Sequence, residues 1–238
     1  MSNYDRNAAA PPGTLADRTV AVDAGLRAYM LRVYNYMAMG VGLTGLVAML
    51  TYQFTGPALL ESPLMWVFML TPVALVFFIG SRINALSAET ARLLFFVYAA
   101  LVGVSLSTIF HVYTSTSITR LFFISAATFG ALSLWGYTTR RDLSGFGTFL
   151  FMGVIGIVIA SLVNLFLRSS GLDWIISIIG VGVFAGLTAY DTQRIKGMYD
   201  SNDDATSTGR KVVMGALSLY LDFINLFMML LRLMGNRR

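Results

Sequence analysis

Seven apolar runs divide the sequence, and each is long enough to cross a bilayer. A hydrocarbon core about 30 Å thick needs a helix of about 20 predominantly apolar residues. The runs are continuously apolar, without the alternation that is typical of transmembrane β-strands. The sequence therefore predicts an all-α integral membrane protein with seven transmembrane helices. The predicted spans are Val33–Phe54, Leu64–Ile83, Leu93–Tyr113, Ile118–Tyr137, Phe146–Leu167, Trp174–Arg194 and Val213–Met234.

The composition supports this fold class and excludes several kinds of site. Of the 238 residues, 56% are hydrophobic and 12% are charged, whereas a soluble domain is about 45–50% apolar and about 25% charged. The chain has no cysteine and one histidine, His111, which excludes thiolate metal sites, cysteine nucleophiles and multi-histidine zinc sites. Because the basic residues are not clustered, we expect no nucleic acid as a partner. The apolar spans make the lipid bilayer the expected partner.

The N-terminal residues differ in composition from the rest of the chain. Residues 1–25 are polar and rich in alanine and proline, and they lack the apolar segment of a cleavable signal peptide. We therefore predict a disordered cytoplasmic tail over residues 1–27 and a seven-helix transmembrane domain over residues 28–238.

The basic residues predict the orientation. With the N-terminus in the cytoplasm, twelve of the 17 Lys and Arg residues fall in cytoplasmic segments, as the positive-inside rule favours. We therefore expect a multi-pass inner-membrane protein with a cytoplasmic N-terminus. Arg232, Arg237 and Arg238 oppose this orientation, because they follow the last span. They would be cytoplasmic if the last segment were re-entrant.

Glycine spacing predicts one close helix contact. Gly182 and Gly186 form a G-x-x-x-G pair in the sixth span. Such pairs let two helices approach closely in lipid, where packing rather than the hydrophobic effect holds helices together.

Two aspartates stand apart from the other acidic residues, which lie in tails and loops. Asp191 lies near the inner end of the sixth span, and Asp222 lies inside the seventh. A carboxylate at the bilayer centre costs roughly 2.5–3.5 kcal/mol on insertion scales, so it is a functional-site hypothesis by default. Helical spacing places Ser218 and Asn225 on the face of Asp222, and Thr188 on the face of Asp191. Because the two spans are consecutive, these polar faces can meet.

A pair of carboxylates in one place can bind protons or a cation. Two charges about 4 Å apart repel by roughly 4 kcal/mol at an effective dielectric of about 20, which favours one shared proton near neutral pH and hence a pH sensor. Ca²⁺ takes about 6–8 oxygen ligands, so Asp191 and Asp222 would bind it weakly, with water, Asn225 or backbone carbonyls completing the shell. No resident cofactor is expected, and calcium ions and protons are the transient ligands. In the alternative interpretation, Asp191 reaches the cytoplasm beside Arg194 and Asp222 stays protonated.

Four segments resemble the Bax inhibitor-1 family, in its bacterial YccA-like branch. They are Tyr98–Ser107, Gly136–Ser144, Ala189–Lys196 and Leu219–Phe227, and the last two are the most specific. The resemblance extends from about Arg32 to the C-terminus. It implies a bacterial inner-membrane protein in which the last helix is central and surrounded by the other six.

The resemblance also implies a function and a gate. It implies that Asp191 and Asp222 form a hydrogen-bonded pair that gates a pH-sensitive calcium leak. An arginine of the second helix bonds to this pair in the closed state, and Arg82 is the nearest match. The chain is therefore expected to be a calcium (cation) leak channel with pH-sensing and gating residues Asp191, Asp222 and Arg82.

Two other functions are compatible with parts of the sequence. The YccA-like branch resembles regulators that bind an ATP-dependent membrane protease without transporting ions, and the polar residues 1–25 would then matter most. An intramembrane aspartyl protease is disfavoured, although Tyr190 and Asp191 echo one motif of those enzymes. Asp222 lacks the preceding Gly-x-Gly of their second motif, and Pro57–Leu59 precedes both aspartates instead of following them. We therefore expect no enzymatic activity.

Overall fold

The described chain forms seven long helices. The computed structural model describes residues 15–56 and 62–238, with side chains from residue 24 onward. All seven helices are long and apolar enough to cross a membrane, which confirms the predicted fold class. A 3-10 turn, Ile83–Ala85, and a short helix, Ile109–Val112, lie between them. The helices are α1 (Leu15–Thr55), α2 (Leu64–Arg82), α3 (Ala88–Leu106), α4 (Ser115–Thr138), α5 (Ser144–Leu167), α6 (Ser170–Gly197) and α7 (Ala205–Met234).

Polar side chains fix where four of these helices begin. Ser87, Thr114, Ser169 and Asp204 precede α3, α4, α6 and α7, and each accepts a hydrogen bond from a backbone N–H in the first turn. The first N–H groups of a helix have no intrahelical partner, so such caps let a helix start directly after a short loop.

The first helix begins earlier than the sequence predicted. The predicted disordered tail over residues 1–27 overlaps α1 from Leu15 onward, and residues 1–14 lie outside the described residues. No proline occurs between Pro12 and Pro57, so nothing in this segment interrupts a helix. With 41 residues, α1 is about 60 Å long. It is thus about twice as long as the hydrocarbon core is thick.

The last helix is the most buried of the seven. In its most apolar 18-residue window 67% of the residues are buried, against 11–39% in the other six helices. Its principal neighbours are α1, α3, α4 and α6, whereas α2 packs mainly on α3 and α5 mainly on α6. Four of the six helices expected around α7 therefore contact it extensively, and the other two form an outer layer.

The six helices around α7 form two triplets with the same internal arrangement. In α1–α3 and in α4–α6, the first and third helices pack against each other and against α7, and the second packs on the third. Because each triplet contains an odd number of spans, the second triplet starts on the opposite side of the membrane from the first. Inverted arrangements of this kind place ligand sites where the repeats meet.

The last helix crosses the whole bundle. At its start, Arg210 Nε donates a hydrogen bond to Leu86 O, just before α3 begins, over 2.6 Å. Beyond its end, Arg238 N donates to Val112 O, in the short helix after α3, over 3.0 Å. The two ends of α7 thus lie at opposite ends of α3, which excludes the re-entrant alternative for this segment.

Two of the C-terminal arginines have partners at that end of the bundle. The Arg237 guanidinium lies 3.5 Å from the Asp173 carboxylate, in the first turn of α6. Arg238 Nη1 donates to the Tyr52 hydroxyl near the end of α1 over 3.4 Å. These contacts give a local reason for basic residues that opposed the predicted orientation.

Glycines mark the closest helix contacts. A Cβ at Gly136 of α4 would overlap the carbonyl oxygen of Ala189 in α6. In the predicted G-x-x-x-G pair, a Cβ added at Gly186 would lie 2.7 Å from the side chain of Leu150 in α5. A Cβ added at Gly182 would meet open space. One glycine of the pair therefore makes a close contact, and the tighter contact is at Gly136.

Candidate functional site

A cavity between α5, α6 and α7 contains both unusual aspartates. Its volume is about 540 Å³, and its lining includes Asp191 and Arg194 from α6 with Ser218, Asp222 and Asn225 from α7. Helices α5 and α7 both pack on α6 but have no extensive contact with each other over the described residues. The cavity fills the space that this arrangement leaves.

Both aspartates are buried although one of them is close to a helix end. Asp191 is 8% exposed and Asp222 is 5% exposed. Asp191 lies about two turns before the end of α6, and Asp222 lies near the middle of α7. The structure therefore brings the two predicted carboxylates, both buried, into the lining of one cavity.

Arg194 closes the more accessible side of the cavity. Its Nη2 lies 3.3 Å from Asp191 Oδ1 and donates a hydrogen bond to Ser218 Oγ over 3.1 Å. The Arg194 side chain is 43% exposed, whereas that of Asp191 is 11% exposed. The contact foreseen in the alternative interpretation is thus present, but the arginine reaches toward solvent while the carboxylate stays buried.

Asp222 is the more buried of the two aspartates. Its Oδ2 is buried and has no hydrogen-bond partner among the described residues. The charged side chains that share its cavity are Asp191 and Arg194. A buried carboxylate oxygen without a donor is costly to keep charged. This oxygen is therefore suited to a proton or a cation.

The polar residues predicted to support the pair differ in their placement. Ser218 and Asn225 line the cavity, and Asn225 Nδ2 donates to Leu221 O in its own helix over 2.8 Å. Thr188 is fully buried and donates to Phe184 O, one turn earlier, over 2.8 Å. It is not part of the cavity lining.

Arg82 lies apart from the pair in this structure. It is exposed at the end of α2 and is not among the residues that line the cavity. The guanidinium beside the carboxylates belongs to Arg194 instead. The gating role of Arg82 stays a prediction.

An aromatic residue and a glycine that the sequence reasoning missed shape the cavity wall. Tyr190 lines the cavity, and the Arg194 guanidinium lies 5.8 Å from the centre of its ring. A Cβ at Gly147 of α5 would overlap the same ring, so α5 approaches Tyr190 closely. The four-residue spacing of Tyr190 and Arg194 was the signal that could have identified this pair.

The donor set suits transient cation binding better than a resident metal. Within the part of the chain that the structure describes, no group of three or more His, Cys, Asp or Glu side chains could hold a metal ion. Ca²⁺ takes about 6–8 oxygen ligands. Asp191 and Asp222 can supply at most four of these oxygens, so water, Ser218, Asn225 and backbone carbonyls would have to supply the rest.

Comparisons with known proteins agree with the sequence resemblance. Residues 26–238 match a family model described as "Inhibitor of apoptosis-promoting Bax1". The chain is 48% identical over 230 residues to "Inner membrane protein YbhL" of Escherichia coli K12, with 94% of this chain and 97% of that protein covered. It is 48% identical to an uncharacterized protein of Rickettsia prowazekii, with coverage of 94% and 96%. An uncharacterized protein of Caulobacter vibrioides is 41% identical over the whole of both chains.

Proposed function

This chain belongs to the Bax inhibitor-1 family, and from that membership we propose that it is a pH-sensitive calcium (cation) leak channel gated by Asp191 and Asp222. The observation that carries the proposal is the meeting of both buried carboxylates in one cavity of about 540 Å³. Because its relative YbhL is an inner membrane protein, we place this chain in the inner membrane, with the N-terminus in the cytoplasm.

The charges of three side chains give the pair its pH dependence. With both carboxylates ionised, Asp191, Asp222 and Arg194 together carry one negative charge. One shared proton makes the group neutral, and a second makes it positive. Rising pH therefore favours entry of a cation, and cation binding in turn releases protons.

Weak binding suits permeation in this site. A conducting site must bind an ion well enough to admit it and weakly enough to release it. The partial neutralisation of Asp191 by Arg194, 3.3 Å away, and the shortage of protein oxygens both keep calcium affinity low. Calcium is thus a transient ligand of the pair.

Calcium flux in proteoliposomes tests the proposal. We expect the flux of the wild-type protein to change between about pH 6 and about pH 8, because the proposed pair holds one shared proton near neutral pH. Asp222→Asn should abolish this change, because its side chain cannot lose a proton. The exposed loop residue Asp142 offers a matched control, and Asp142→Asn should behave as wild type. Wild-type pH dependence in Asp222→Asn would show that the pair is not the gate.

A second candidate function is regulation of an ATP-dependent membrane protease without transport. The length of α1 favours it, because a helix of 41 residues is about 60 Å long, about twice the thickness of the hydrocarbon core, and so leaves helical turns outside the bilayer for a partner. Deleting residues 1–23 and measuring co-purification of the protease separates the two functions. Loss of the protease with unchanged calcium flux would support regulation, and retention of the protease would count against it.

A further inference from the structure

The first helices of the two triplets leave a lateral opening between them. Both α1 and α4 pack against α7, but they have no extensive contact with each other over the described residues. A cavity of about 530 Å³ lies between them. Its rim includes Leu31 and Leu134, which are 52% and 65% exposed. The cavity therefore opens on the perimeter of the bundle, where lipid surrounds the protein.

The interior of this α1–α4 cavity is apolar and has room. Met30, Met37 and Phe129 line it, and a Cβ at Gly130 would meet no heavy atom within 4 Å. The hydroxyl groups of Tyr34 and Ser133, on opposite sides of the cavity, form a hydrogen bond with each other over 2.6 Å. An occupant therefore meets mainly hydrocarbon.

One end of the α1–α4 cavity is basic. Arg27 of α1 and Tyr137 of α4 line that end. Lys196 Nζ donates to Tyr137 O over 2.9 Å and lies 4.8 Å from the centre of the Tyr137 ring. Among the residues whose side chains the structure describes, none of the lining residues is acidic. Two cations thus stand at the end of an apolar slot.

We propose that the α1–α4 cavity binds an acyl chain of an anionic phospholipid, whose phosphate contacts Arg27 and Lys196. The slot opens to the bilayer, so its occupant comes from the bilayer. An apolar body joined to a negative head complements an apolar lining with two cations at one end. This cavity shares no lining residue with the aspartate cavity, so the proposal does not depend on the proposed function.

Native mass spectrometry of the purified protein, with phosphatidylglycerol or phosphatidylcholine added, tests the apolar part. Gly130→Leu fills the open space beside α4, so we expect it to lose retention of both lipids. Leu134→Trp obstructs the rim and gives a second occluding variant. Gly156→Leu is the matched control, because a Cβ at Gly156 of α5 also meets open space but lies outside this cavity. Retention by both occluding variants equal to that of Gly156→Leu would overturn the proposal.

The basic end is tested by headgroup preference. Arg27→Gln should lower retention of phosphatidylglycerol about fivefold, as expected for one cation near an anionic surface, and should leave phosphatidylcholine unchanged. Arg168→Gln, at the opposite end of the bundle, should change neither. An equal loss of both lipids in Arg27→Gln would overturn the headgroup assignment. If Gly130→Leu instead abolishes cross-linked dimers without changing lipid retention, the cavity takes a helix from a second copy and the lipid proposal fails.

Discussion

At the scale of single residues, the two aspartates have different surroundings within one cavity. Asp191 has an arginine 3.3 Å away, whereas Asp222 has a buried oxygen without a hydrogen-bond donor among the described residues. An ion pair compensates the first charge in part, and no such contact compensates the second. Removing Arg194 should therefore affect protonation of the pair without removing either carboxylate.

Replacing Arg194 by glutamine should shift the pH response of calcium flux. Without the cation, the charged form of the pair is less favoured, so the midpoint should move to higher pH. We expect a shift of about half a unit to one unit, because the exposed guanidinium is screened by solvent. Flux measured across a pH series in proteoliposomes checks this. Arg141→Gln, an exposed arginine in the loop before α5, is the control, and an equal shift there would contradict the assignment.

The sequence identified both carboxylates because a charge inside an apolar run has no other ready explanation. It placed Arg194 beside Asp191 only in the alternative interpretation, and it did not predict that this arginine lines one cavity with both aspartates. Helical spacing shows that Arg194 is one turn from Asp191, but only the packing of α5, α6 and α7 shows that α2 and Arg82 lie outside the cavity lining. Thr188 lies outside the cavity lining for another reason. A hydroxyl can bond to the carbonyl one turn earlier in its own helix, so it needs no polar site.

At the scale of the helices, caps and glycine contacts determine where each span begins and how closely it packs. Asp204 caps the most buried helix, and Gly136 lets α4 approach the backbone of α6. A sequence motif signalled the contact at Gly186, but Gly136 has no partner glycine at four-residue spacing. Its role depends on which helix lies opposite, and spacing within one helix cannot show that.

Asp204→Ala should lower the thermal stability of the protein at neutral pH by a few degrees, because α7 loses its N-cap. Hydrogen bonds from the Ser207 side chain, and from the backbone N–H groups of Ser207 and Thr206, lower the pKa of Asp204. Because the pKa of Asp204 is lower in the folded state than in the unfolded state, its charged form stabilises the folded protein at any pH above the unfolded-state pKa. This stabilisation is lost below about pH 4, as the pH falls through the folded-state pKa.

Thermal unfolding in detergent at several pH values measures this effect. Asp204→Asn is the control, because asparagine caps a helix as well as aspartate does and carries no charge. It should match the wild type at neutral pH and lack the acid-dependent loss of the cap. Equal stability of Asp204→Ala and Asp204→Asn at neutral pH would show that the cap does not matter.

Gly136→Ala should destabilise the bundle by about 1–3 kcal/mol, as overpacking commonly does. The added methyl group would meet the Ala189 carbonyl oxygen, and backbone cannot move aside as a flexible side chain can. Gly130→Ala, on the same helix but facing open space, should unfold as the wild type does. Thermal unfolding of the two variants side by side checks the difference. Similar unfolding temperatures for both variants would mean that α4 and α6 can move apart to accommodate a methyl group without a loss of stability.

At the scale of the whole molecule, two triplets of helices pack on the most buried helix, α7, each through its first and third helix. The number of spans was readable from the sequence, because each span must be apolar by itself. The packing partners were not, because lipid and the protein interior are both apolar. The most apolar helix, α5, is in fact the least buried. The hydropathy of a helix in this protein therefore reflects its contact with lipid, and it cannot show which helices contact α7.

The orientation can be tested by labelling, because the chain has no cysteine of its own. Ser115→Cys, in the first turn of α4, and Ser201→Cys, in the connection between α6 and α7, place single exposed thiols at opposite ends of the bundle. With a cytoplasmic N-terminus, a membrane-impermeant maleimide should label Ser115→Cys on intact spheroplasts. Ser201→Cys should react only after the membrane is permeabilised. The reverse pattern would invert the topology.

The position of α7 has a consequence for biosynthesis. The helix with the most buried residues follows the other six along the chain, so the ribosome delivers it after them. Six helices must therefore enter the bilayer before the one that fills the space between them exists. A chain that stops before Ala205 has six spans and no helix to fill the centre of the bundle. Assembly of the bundle is thus completed only after α7 has been translated, and quality control at the membrane would meet a chain without α7 in an open form.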